Sequence, residues 1–122
     1  MYLVGVDHPN REAARRALEE AVAAGESLCT DAEVLQEILH RYTALRRPEG
    51  IDAAFDAVLA IVDVVYPIER ADVERARRLL RTTPRLAARD AVHVAVMHGR
   101  DMDRIMTFDT GFDGIPGIVR VS

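Results

Sequence analysis

Four short apolar segments, each set off by helix-length amphipathic stretches, constrain this chain more than any other feature. They are ESLCT (26–30), DVVYPI (63–68), residues 104–108 within DRIMTFD, and IVRV (118–121). Parallel strands need crossovers of about a dozen residues or more, and the intervals here supply them as helices. PNREAARRALEEAVAAG places Pro9 in a first turn and Gly25 at a helix end. TDAEVLQEILHRYTAL carries a Thr30–Glu33 capping box and an apolar stripe of Val34, Leu35, Ile38, Leu39, Tyr42 and Leu45. RRPEG (46–50) is a turn. IDAAFDAVLAIV is apolar nearly all round, which predicts a buried helix. ERADVERARRLLRTTP is a charged helix stopped by Pro84, and LAARDAVHVAVMHGR a helix ending near Gly99. Strands alternating with helices predict a parallel sheet covered on both faces. A fifth strand is wanted, and it should come first.

With 122 residues the chain is expected to form one domain. Its longest apolar run, AVLAIV (57–62), is far too short to cross a bilayer, and the opening has no signal-peptide pattern, so no membrane role is expected. Cys29 is the sole cysteine, which excludes an internal disulfide and a thiolate metal cluster and points to a cytoplasmic home. Cys29 itself reads as a small core residue. All 16 basic residues are arginine. GC-rich coding produces that bias, but the absence of lysine excludes a P-loop nucleotide site and a Schiff-base enzyme.

Most of the 20 acidic residues must lie on solvated helix faces. Three stand apart by position. Asp109 directly follows the apolar run RIMTF, so it should sit at a strand's carboxyl end, where open α/β sheets place their chemistry; the plainer reading is a turn aspartate. Asp90 opens a helix whose next turns are apolar, so it either complements the helix end or lines a site. Glu37 falls at the border of its helix's apolar stripe, in reach of Arg41 four residues on, while Glu33 points nearly opposite the stripe. Clustered, such carboxylates repel one another and suit a hard cation such as Mg²⁺.

At these residues the sequence resembles the PIN-domain ribonucleases, and within them the VapC toxins of toxin–antitoxin pairs. The resemblance runs through DHPNREAARRALEEA, TDAEVLQEILHRY and ARDAVHVAVMHGRDMDRIMTFDTGFD, covering nearly the whole chain. It implies a PIN-like three-layer α/β/α fold with a short parallel sheet. It also implies a Mg²⁺-dependent (or Mn²⁺-dependent) endoribonuclease in which Glu37, Asp90 and Asp109 match the second, third and fourth metal-holding acids. Asp113 is an auxiliary acid. Water would attack the scissile phosphate, leaving a 3′-hydroxyl and a 5′-phosphate. Implied partners are an RNA substrate, a VapB-type antitoxin that wraps helices and blocks the acidic pocket, and a second copy in a homodimer.

The opening MYLVGVDHPN departs from the pattern. The family begins with a strand ending in V-D-T-N or similar, whose aspartate is the first acid. MYLVGVDHP instead resembles the later segment before an H-P turn. On that reading the domain, residues 1–122, is N-terminally incomplete, its central strand is missing, and Asp7 is a bystander. The competing reading makes Met1 to Val6 the first strand and Asp7 the first acid. A chain without its first acid would be a catalytically inactive module that still binds an antitoxin. A phosphoryl-accepting receiver-like domain is a weaker third reading, because that class uses a lysine. Arg75, Arg77, Arg78, Arg81, Arg85 and Arg89 precede or adjoin Asp90, either as a solvated face or as a phosphate-tracking rim, with Arg89 and Arg85 the RNA-binding candidates. Aromatics are only 5% of the chain, against a base-stacking platform. His93 reads as a buried polar group with satisfied hydrogen bonds, and no chemistry is assigned to it.

Overall fold

The computed structural model describes residues 1–4, 11–107 and 109–121, and of 11–14 only the helical backbone. Asp7 and Phe108 lie outside the described residues. Five strands, β1 (Tyr2–Leu3), β2 (Cys29–Asp31), β3 (Val64–Tyr66), β4 (Arg104–Met106) and β5 (Val119–Val121), form one parallel sheet in the order β3-β2-β1-β4-β5. The helices are α1 (Arg11–Ala23), α2 (Ala32–Ala44), α3 (Glu49–Ile61), α4 (Arg70–Thr82) and α5 (Ala88–Gly99). The four expected strands are all present at three residues each, with β2 shifted from the expected 26–30 to Cys29–Asp31.

The centre of the sheet is filled. Tyr2 and Leu3 pair with β4 on one side, and Tyr2 pairs with Cys29 of β2 on the other. The Cys29 amide donates to the Met1 carbonyl at 2.9 Å, the Val4 amide to the Met106 carbonyl at 3.3 Å, and the buried Thr30 hydroxyl to the Leu3 carbonyl at 2.7 Å. A sheet with no strand at its centre was the cost expected of a missing first strand. Tyr2–Leu3 occupies that place.

Strand side chains alternate between faces, and the core divides accordingly. Leu3, Leu28 and Met106 pack with Ala17, Leu18 and Ala21 of α1 and with Ile61. Tyr2, Val4, Cys29 and Ile105 pack on the other face with Val34, Ala76, Val94, Val96 and Met97 of α2, α4 and α5. This is the expected three-layer arrangement. The α5 helix is buried almost all round, with Ala91, His93, Val94, Ala95, Val96 and Met97 all inaccessible.

Two local expectations are corrected. The predicted Thr30–Glu33 capping box is absent. Thr30 belongs to β2, and the N-cap of α2 is Asp31, whose Oδ1 accepts the Val34 amide at 3.1 Å. Nor is α3 buried. Only Val58 of that helix is inaccessible, and Leu59 is 49% exposed. The helix leans mainly on α2, and Gly50 makes room for the Tyr42 ring, since a Cβ there would come within 2.5 Å of it. Two of the six residues of the α2 stripe are likewise open, with Leu39 44% and Leu45 55% exposed.

Candidate active site

In a parallel sheet whose chain order reverses beside the first strand, side chains at the carboxyl strand ends meet in a crevice. Asp31 ends β2, Asp109 follows β4, and Asp90 occupies the first turn of α5 beside them. Glu37 comes from α2, two turns beyond the Asp31 cap. Asp90, Asp109 and Glu37 meet electrostatically at Asp90, and Asp31 joins them through His93. Asp90, half-buried, is held above the ordinary carboxyl range chiefly by desolvation; His93 and Arg89 oppose that rise, and the charges of Asp109 and Glu37 reinforce it.

The hub of the site is a buried chain of side chains that sequence reasoning missed. His93 Nδ1 lies 2.7 Å from Asp31 Oδ2, and His93 Nε2 lies 3.0 Å from Glu37 Oε1. The Tyr2 hydroxyl donates to the same Asp31 oxygen, Oδ2. Arg89 Nε stands 3.7 Å from Glu37 Oε1 on the outer side. Burial alone would lower the basicity of His93. The hydrogen bonds to Asp31 and Glu37 outweigh it and push the imidazole up to about 9. Burial would raise Asp31, but its bonds to His93 and Tyr2, with the Val34 amide, carry it below the usual carboxylate value. The raised His93 value favours the imidazolium, which donates from both ring nitrogens, to Asp31 Oδ2 and to Glu37 Oε1. The same burial pushes the Tyr2 phenol upward, with the Asp31 charge adding to it.

Glu33 is a second omission. It does not point away from the site. It is half-buried, and its carboxyl is raised by desolvation and then by the charge of Glu37, one turn along α2, with His93 opposing. A signal for Asp31 was available: LCTD is an apolar strand followed by an acid, the same pattern that singled out Asp109.

Asp109 is exposed and caps the short 3₁₀ turn Thr110–Phe112, its Oδ1 accepting the Gly111 amide at 2.8 Å. Asp113 is tied up by Arg120, with Nε to Oδ1 at 2.7 Å and Nη2 to Oδ2 at 3.3 Å, and this forked bond holds its carboxyl below the usual range. Arg85 is turned to the protein's own backbone, donating to the carbonyls of Gly111 (2.6 Å) and Asp113. Arg75 donates to the Ala95 carbonyl at 3.3 Å beside Asp72. Of the arginines read as a rim, Arg77, Arg78, Arg81 and Arg89 face solvent without such backbone ties. Arg89 is 64% exposed and the nearest of these to the acids by its contact with Glu37.

Among the described residues, no three His, Cys, Asp or Glu side chains converge as a ready-made metal cage. Mg²⁺ does not require one, because it keeps several waters and takes one or two carboxylates. The charges of Asp109 and Glu37 add to the cost of ionising Asp90, a condition that a hard cation relieves, so this donor set fits such an ion. Also among the described residues, no helix is long and apolar enough to cross a membrane.

Comparison with known proteins points to one family. The PIN domain family model matches residues 1–118. VapC ribonuclease Mb1869c of Mycobacterium bovis and ribonuclease VapC13 of Mycobacterium tuberculosis are each 57% identical over the whole chain, which spans 93% of their length. Ribonuclease VapC23 of Mycobacterium tuberculosis is 42% identical over 89% of the chain and 86% of its own length. In fold, the chain is similar to VapBC2 from Rickettsia felis bound to a promoter DNA fragment (TM-score 0.75, 14% identity, 98% of this chain and 96% of that one). It is also similar to the sarcin–ricin-loop-cleaving toxin VapC20 of Mycobacterium tuberculosis (TM-score 0.66, 20% identity, 93% and 89%).

Proposed function

The chain belongs to the PIN-domain family, among the VapC ribonucleases, and we propose that it is the toxin of a VapBC-type pair, a metal-dependent endoribonuclease that hydrolyses RNA phosphodiester bonds. One observation carries the reading: the charges of Asp109 and Glu37 both bear on the half-buried Asp90 at the carboxyl end of the sheet. These three acids would hold Mg²⁺ or Mn²⁺, directly or through water. The ion would activate water and offset charge on the phosphate during in-line attack.

The chain's own residues prepare the site for that chemistry. Asp90 stands half out of water on a rigid, buried helix, which holds its carboxylate in place. Glu37 is steadied from within by His93 and flanked outside by Arg89. Arg89, largely exposed, is placed to meet an RNA phosphate as it approaches the acids. Water adds across the phosphodiester, leaving a 3′-hydroxyl on one fragment and a 5′-phosphate on the other.

A protein partner is part of the proposal. Leu39, Leu45 and Leu59 leave the α2–α3 hairpin with unburied apolar surface, which supports docking by an antitoxin segment or a second copy. The structurally similar VapBC2 is a toxin–antitoxin complex, which supports the same reading.

The deciding experiment is cleavage of a mixed RNA pool with Mg²⁺, with chelator, and with an Asp90→Asn variant. Metal-dependent cleavage lost in the variant is the expected result. A folded, antitoxin-binding protein that never cleaves RNA would overturn the nuclease assignment in favour of an inactive binding module.

A further inference from the structure

His93 spans two carboxylates on neighbouring elements, one at each ring nitrogen. One partner, Asp31, is immobilised three ways: the Tyr2 hydroxyl and His93 bind Oδ2, and the Val34 amide binds Oδ1. Asp31 therefore fastens β1, the start of α2 and the middle of α5 at one point. The imidazole, 1% exposed, carries that fixed point outward to Glu37, whose side chain is 28% exposed. His93 also lies one turn beyond Asp90 on the same buried helix. Hence the ring that contacts Glu37 Oε1 and the Asp90 carboxylate are carried by the same helix.

From this arrangement we infer that Asp31 and His93 form a buried strut that positions Glu37 relative to Asp90 and so sets the spacing of two metal-holding acids. The inference rests on the proposed role of Glu37. His93 is a positioning residue, since it is sealed from the crevice and touches neither substrate nor metal. Outer partners that orient a ligand in this way change metal affinity by about ten- to a hundredfold when removed.

Two substitutions separate the halves of the strut. In His93→Asn the amide reaches only as far as Nδ1, so it holds Asp31 and lets go of Glu37. In His93→Gln the amide extends to the place of Nε2 and retains Glu37. Mn²⁺ binding is measured by calorimetry on folded protein, well below the unfolding midpoint. His93→Asn should weaken it about ten- to a hundredfold, and His93→Gln should restore most of the loss. Equal Mn²⁺ affinity in wild type and folded His93→Asn would overturn the strut, as would equal losses in the two variants.

A metal-free measurement keeps the strut distinct from the nuclease reading. In chelator, the midpoints of His93→Asn, Glu37→Gln and the double variant should not add, the double falling less than the sum. Additivity would overturn the strut whatever the metal does. Non-additivity with no Mn²⁺ binding by the wild type would support the strut and overturn the metal-holding role of Glu37. Should His93→Asn not fold, Asp31→Asn, which keeps a capping oxygen for the Val34 amide, takes its place in the same cycle with the same readings.

Discussion

Arg85 donates to the Gly111 carbonyl at 2.6 Å and, from its second nitrogen, to the Asp113 carbonyl, clasping the turn that follows Asp109 from the α4–α5 connection. Arg120 closes the same turn from β5 through Asp113. The loop behind one candidate metal-holding acid is thus held by two guanidinium groups. An arginine used in this way is poorly placed to serve RNA as well. Arg85→Ala should speed amide exchange across Gly111 to Gly114 about fivefold, the equivalent of about 1 kcal/mol. Arg85→Lys should recover little, because an ammonium cannot span two carbonyls as the planar fork does. Unchanged exchange with weakened RNA binding would instead place Arg85 on the substrate.

The Asp31–His93 pair gives stability a specific pH dependence. His93 is pushed up to about 9 from its ordinary 6.5. A group whose folded value is raised contributes fully below its unfolded value and loses that contribution as pH rises through the folded one. The protein should therefore lose stability between about pH 6.5 and pH 9, by up to about 3 kcal/mol at 1.4 kcal/mol per pH unit. Asp31 works with the opposite sign. Its value is lowered, so its contribution is present above the ordinary carboxyl value and disappears as acid drives pH down through the folded one. Thermal melts of the metal-free protein across this range should show a midpoint maximum near or below pH 6.5. His93→Gln should flatten the alkaline limb. An alkaline limb that persists in the variant would mean that another group titrates there.

Asp90 predicts a separation of stability from activity. Desolvation, with Asp109 and Glu37 adding to it, makes its charge unfavourable in the metal-free fold. Asp90→Asn removes that charge and keeps the shape. The variant should melt at or above the wild-type temperature without metal while losing RNA cleavage by at least about a hundredfold, because several kcal/mol of metal-derived stabilisation go with the ligand. Saturating Mg²⁺ should raise the wild-type midpoint, with a gain of about 2.7 kcal/mol at a hundred times the dissociation constant, and leave the variant unmoved. A variant that still gains from Mg²⁺ would move the ion away from Asp90.

What the sequence revealed and what it concealed divide along physical lines. Asp109 and Asp90 were legible because strand ends and first helical turns are local patterns. Glu37 was legible too, at the border of an apolar stripe, but Asp31 and the bridging role of His93 were not. The local pattern makes Thr30 the cap of α2, whereas the pairing of Cys29 to Asp31 with β3 shows that Thr30 and Asp31 are strand. His93 was legible as buried but not as a bridge, since its partners lie 62 and 56 residues away. Periodicity placed α3 in the core because its composition is apolar all round. Composition does not reveal whether a helix is covered by the rest of its own chain, and among the described residues most of α3 is left open.

That open layer gives the last prediction. Leu59 is 49% exposed on α3, next to Val58, which is 3% exposed. The two side chains differ in what covers them, so their substitutions should separate folding from association. Val58→Ala opens space in the hairpin packing and should cost the isolated domain about 1 kcal/mol or more. Leu59→Arg adds a charge to a surface already in water and should shift stability by no more than about 0.5 kcal/mol. If the hairpin is the docking face for a second copy or an antitoxin helix, that same arginine is buried without a partner on binding, which costs several kcal/mol. Leu59→Arg should therefore melt like the wild type yet sediment as a monomer or fail to co-purify with a co-expressed antitoxin. A variant that associates normally would move the interface off α3 and leave its apolar face to be explained by some other contact.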